Sequence, residues 1–118
     1  MRTRKLEVNE VLWKVEAFPE YVPVRGNAMA SGDDEFDTEV EDDILSQLDD
    51  GNEWAWATVK VTGSYFGMES HQFLGCCSYR SEADFKSCGY YTDMQSEVLA
   101  DLQCAIDSLV VQFAKEEV

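Results

Sequence analysis

The chain has 118 residues, 45% hydrophobic and 12% aromatic, with 24 Asp and Glu against 9 Lys and Arg for a formal charge of −15. This length predicts one domain over residues 1–118, since two cores would each bury too little apolar surface to offset their conformational entropy, and the apolar share excludes a disordered acidic tail. No apolar run approaches the roughly 20 residues that cross a bilayer, and Met1-Arg2-Thr3-Arg4-Lys5 leads into charged residues, so neither membrane insertion nor secretion is expected.

From Leu6 to Phe18, Val11, Trp13, Val15 and Ala17 alternate with Lys14 and Glu16, the period of a half-buried strand. Pro19, Pro23 and the turn residues up to Ser31-Gly32 predict a connecting loop. Between Asp33 and Asp50 the residues Phe36, Val40, Ile44, Leu45 and Leu48 recur at helical spacing, with Ser31 or Asp33 as N-cap and Gly51 placed to end the helix. Trp54 to Thr62 alternates again and reads as a central second strand, with Trp54 and Trp56 projecting from the same side. Gly63 and Gly67 bracket a hairpin into a third strand, His71 to Tyr79.

Ser81 to Tyr91 is less regular, contains Gly89 and reads as a loop with one helical turn. Thr92, with Gln95 three residues on, forms a capping box for a last helix whose buried stripe is Met94, Val98, Leu102, Ile106, Leu109 and Phe113. The expected fold is α+β in the order β-α-β-β-α, an antiparallel sheet of about three strands with two helices packed on one face.

Four cysteines, Cys76, Cys77, Cys88 and Cys104, lack any C-x-x-C pair, and reduced thiols are expected. The single histidine, His71, has no nucleophile motif around it and reads as structural; no phosphate-binding glycine loop is present. Asp33, Glu35 and Asp37 alternate as in a calcium loop, but the sixth position is Thr38 where glycine is required. A non-enzymatic protein without cofactor or metal is the expectation.

The strings Pro23-Val24-Arg25-Gly26-Asn27-Ala28, Trp54-Ala55-Trp56, Leu74-Gly75-Cys76-Cys77-Ser78-Tyr79 and Gly89-Tyr90-Tyr91-Thr92-Asp93-Met94 together resemble small acidic proteins encoded by tailed bacteriophages and prophages. The likeness runs from about Pro23 to Leu102. It implies the cytoplasm of an infected bacterium, where small acidic phage proteins often antagonise host defences such as restriction enzymes and CRISPR effectors.

The main functional feature is charge. Between Gly26 and Val59 there is no Lys or Arg, while Asp33, Asp34, Glu35, Asp37, Glu39, Glu41, Asp42, Asp43, Asp49, Asp50 and Glu53 all fall there. Like charges at helical spacing repel, and Asp49 and Asp50 also oppose the helix dipole, so stability alone does not account for the run. One reading is a helix that imitates nucleic acid and occupies the basic groove of a nucleic-acid-binding host protein, with Trp54 and Trp56 as hydrophobic supplements unless the long loop around Arg25 or the N-terminal strand covers them. A plain solvated face is the other. Direct binding of DNA or RNA is disfavoured by the net charge. The alternative function is an assembly module, a homodimer through the aromatic sheet face, whose acidity serves only solubility.

Overall fold

The computed structural model describes residues 5–116, with side-chain surroundings for residues 5–110. The fold is α+β: strand β1 (Leu12–Pro19), helix α1 (Asp34–Asp49), strands β2 (Ala57–Tyr65) and β3 (Met68–Cys77), helix α2 (Glu82–Lys86) and helix α3 (Gly89–Glu116). The strands form one antiparallel sheet in the order β1-β2-β3, so β2 is central as its two-sided apolar content predicts. No helix among the described residues is long and apolar enough to cross a membrane.

Several boundaries differ from the sequence pattern. β1 starts at Leu12 rather than Leu6, because Val8–Glu10 close a 3-10 turn in which Glu7 and Glu10 cap one another. The second strand starts at Ala57, after a 3-10 turn over Glu53–Ala55 that Asn52 caps by accepting from Trp54 N at 3.1 Å. The hairpin between β2 and β3 is a two-residue turn, Phe66 and Gly67, with φ of +47° and +81°. Both values positive is the primed turn that matches strand twist. Residues 81–91 hold more helix than expected: Ser81 caps α2, accepting from Asp84 N at 3.2 Å, and α3 begins at Gly89. Thr92 therefore lies inside α3 instead of capping it. The capping-box pattern misleads because the chain is already helical one turn earlier, where a glycine costs less than in a helix interior.

The chain forms two compact units. The first comprises Met1–Lys14, Val61–Gln72 and Gly89–Val118. Its core is Leu6, Val11, Val98 and Leu102, with Trp13, Tyr65, Met68, Leu99 and Ile106 packed around it. Val98 approaches β2 so closely that a Cβ on Gly63 would stand 2.7 Å from Val98 Cγ1 and 3.0 Å from both Trp13 and Val11. The predicted stripe of α3 holds for Met94, Val98 and Leu102, which are buried, but Leu109 is exposed because the helix continues past its core. Phe113 lies outside the residues with described side chains.

The second unit comprises Val15–Lys60 and Phe73–Cys88. Here Val24, Ile44, Ala55 and Trp56 form the core, flanked by Ala28, Val40, Leu45 and Leu48. Phe85 of α2 is fully buried between Trp54, 5.8 Å away by ring centroid, and Tyr79, 5.2 Å away edge-on. Tyr79 N donates to Trp54 O at 2.7 Å. Phe36, predicted to face the core, is exposed instead, since α1 overhangs that core by its first turn.

Candidate functional site

The acidic segment folds as its pattern demands. Asp33 is the N-cap of α1 and accepts from Phe36 N at 3.2 Å. At the other end Gly51, at φ +92°, donates to Leu48 O and Asn52 donates to Gln47 O, both at 3.0 Å. This pair of reversed bonds is a Schellman closure, and glycine suits its left-handed position. Asp34, Glu35 and Asp37 in the first turn favour the helix dipole, whereas the last turn has no basic residue to balance Asp49.

The twelve residues proposed from sequence separate by face. Glu35, Glu39, Asp42, Asp43, Asp49 and Asp50 are exposed; the first four follow at helical steps, and after the uncharged turn that holds Ser46 the last two close the helix. At 100° per residue they share one side of the helix, and from Glu35 to Asp49 the strip is about 21 Å long. Asp33 and Asp34 are exposed at its N-terminal end. Asp37 is half-buried and serves the preceding loop: its Oδ1 accepts from Ser31 Oγ at 2.6 Å and Ser31 N at 3.2 Å.

Glu41 does not belong to the surface. It is 6% exposed, its Oε2 accepts from Gly26 N at 2.7 Å and its Oε1 from Arg25 Nη1 at 3.1 Å. The second Arg25 nitrogen, Nη2, donates to Asp42. The acids are thus not wholly unopposed, because an arginine from the loop reaches the inner border of the strip. Its hydrogen bonds, to Asp42 first and Glu41 second, raise the Arg25 pKa above its ordinary value.

The two tryptophans also require correction. Trp54 sits in the 3-10 turn, half-buried against Phe85, and Trp56 is 5% exposed, so they do not share a strand face and form no exposed aromatic patch. Trp56 Nε1 donates to Val22 O at 2.6 Å, and Val24 closes over the same core. The long loop around Arg25 is therefore the cover of Trp56 and the tether of α1.

Sequence reasoning missed Glu20. Its Oε2 accepts from Thr58 Oγ1 at 2.7 Å and Cys76 N at 2.8 Å, and its Oε1 from Val22 N at 3.1 Å. The Cys76 bond, then the Thr58 and Val22 bonds, hold this carboxyl below the ordinary carboxylate range. Cys76 itself has a left-handed φ of +54°, a strained value for a residue with a side chain. No local pattern announces such a residue. Glu41 did carry a signal: three before Ile44 and seven before Leu48, it is in phase with the buried stripe.

All four thiols are free. Cys77 is buried, and desolvation foremost raises its pKa to about 11, while its neighbour Cys76 is exposed. Among the described residues no three His, Cys, Asp or Glu side chains converge as a metal site. No family model matches the chain, and no curated protein or solved structure matches it either.

Proposed function

We propose that the protein is a binding protein that occupies the basic groove of a nucleic-acid-handling host protein, in the manner of phage inhibitors of restriction or CRISPR systems, with the outer face of α1 as its contact surface. One observation carries this reading: the exposed carboxylates of Glu35, Glu39, Asp42 and Asp43 share one face of α1, and Asp49 and its C-cap neighbour Asp50 resume that face beyond Ser46. Carboxylates about 5–6 Å apart on a rigid rod present a charge density that a channel of Lys and Arg built for phosphates can accept, with release of the same counterions. The rod is fixed at both ends, by the Asp33 cap and the Gly51 closure, and tied along its inner side by Glu41. Such fixing lowers the ordering cost of association. Trp56 is buried and Trp54 half-buried, so the two form no aromatic contact surface, and a homodimer through them has no support.

The decisive experiment compares the protein with a variant carrying Glu35→Gln, Glu39→Gln, Asp43→Asn and Asp49→Asn in a pull-down from bacterial lysate. Nucleic-acid-handling proteins held by the unmodified chain should elute with added duplex DNA and fail to bind the variant, whose circular dichroism spectrum stays unchanged. The loss should be greatest at low salt. Equal retention by the two proteins would refute the reading.

A further inference from the structure

We propose that a pocket of about 360 Å³ beside the C-terminal end of α1 receives one cationic side chain, an arginine or lysine, from the partner protein. The proposal rests on the reading above and names a point of attachment within it. Ala17, Pro19, Leu48 and Trp56 supply apolar walls, and Glu20 and Glu53 supply the charge.

The two ionisable side chains of the lining, Glu20 and Glu53, are both acidic. Glu20 stays ionised because its hydrogen bonds favour the carboxylate, and three donors leave its negative charge in place. The closing turn of α1 brings the negative end of the helix dipole, with Asp49 and Asp50 beside it and no basic residue in the last turn. A phosphate or a carboxylate would be repelled, and a neutral apolar group would gain nothing from the two acids. The side chains of Lys and Arg meet both demands, since their alkyl stems bury on apolar walls while the head group keeps to the charged mouth.

The pocket can be tested apart from the strip. The full chain, 15N-labelled, is titrated with N-acetyl-arginine amide, with N-acetyl-citrulline amide as the uncharged isostere and sodium chloride as the ionic-strength control. The arginine derivative should shift the Trp56 indole N–H and the Gly51 and Asn52 amides, and the citrulline derivative should not. Glu53→Gln should weaken the effect about three- to fivefold, as for an exposed ion pair. Ala17→Leu, which fills the pocket, should abolish it with circular dichroism unchanged, and should also reduce partner retention in the pull-down. Shifts spread over the outer acids of α1 with none at Trp56 would overturn the pocket and leave the nucleic-acid-like strip standing. Equal response to citrulline would overturn the cation assignment. Loss of the arginine shifts in Ala17→Leu with undiminished partner retention would overturn the partner as the source of the cation.

Discussion

On the inner side of α1, Glu41 is enclosed and accepts from Gly26 N and Arg25 Nη1; on the outer side, Glu35, Glu39, Asp43 and Asp49 stand in solvent. The residue chemistry is the same and the energetic meaning is opposite. An enclosed carboxylate is stabilising in proportion to the donors that replace its water, and its removal leaves those donors without partners. An exposed one gains little from its neighbours and repels those of like sign. The difference teaches that α1 is held to its unit from one side only, so the outer acids are free to serve a contact beyond the fold.

The sharpest way to break this contrast is Glu41→Ala. It removes the acceptor of the Gly26 N–H and one partner of Arg25, and should cost about 2 kcal/mol in a chemical denaturation experiment. The figure lies below that for a fully buried ion pair because Arg25 is 53% exposed and water takes up part of its charge. A loss under a few tenths of a kcal/mol would show that the loop is held by its apolar contacts alone. Trp56→Phe probes the same seam. It leaves Val22 C=O unpaired and a small gap in the core, for a loss of about 1–2 kcal/mol.

Glu20 extends the comparison to pH. Its folded pKa lies below the ordinary 4.5, so its contribution is complete above that value and fades as pH falls through the folded pKa. Melting temperatures of the protein should therefore drop on acidification below pH 4.5, and the drop should be shallower in Glu20→Gln. Parallel curves for the two proteins would refute a stabilising role for that carboxylate. The smallest effect belongs to the outer face. The quadruple amide variant of Glu35, Glu39, Asp43 and Asp49 should match the protein in stability or exceed it by a few tenths of a kcal/mol. A clear destabilisation would mean that the strip, too, is part of the fold.

What could be read from sequence was what short range determines. The limits of α1 follow from Asp33 and Gly51, each of which acts within a few residues, and the buried stripe of α3 through Met94, Val98 and Leu102 follows from its period. The tryptophans were misplaced because alternation continues visually from Trp54 into β2, while the Asn52 side chain diverts the chain into a 3-10 turn first. The strip was legible as a run of acids, but its division into inner and outer members depends on Arg25, sixteen residues from Glu41. Glu20 and its pocket depend on a donor fifty-six residues away, at Cys76. Contacts of that range leave no mark in local spacing.

Gly63 has a consequence for how this sequence can change. With Val98 Cγ1 only 2.7 Å from where a Cβ would stand, positions 63 and 98 share one volume of space. An alanine at 63 is harmful while Val98, Val11 and Trp13 keep their places, and a smaller residue at 98 removes only the tightest of the three contacts. Mutational paths through this pair are therefore ordered in time, and among descendants of this chain a residue larger than glycine at 63 should occur only with a smaller residue at 98.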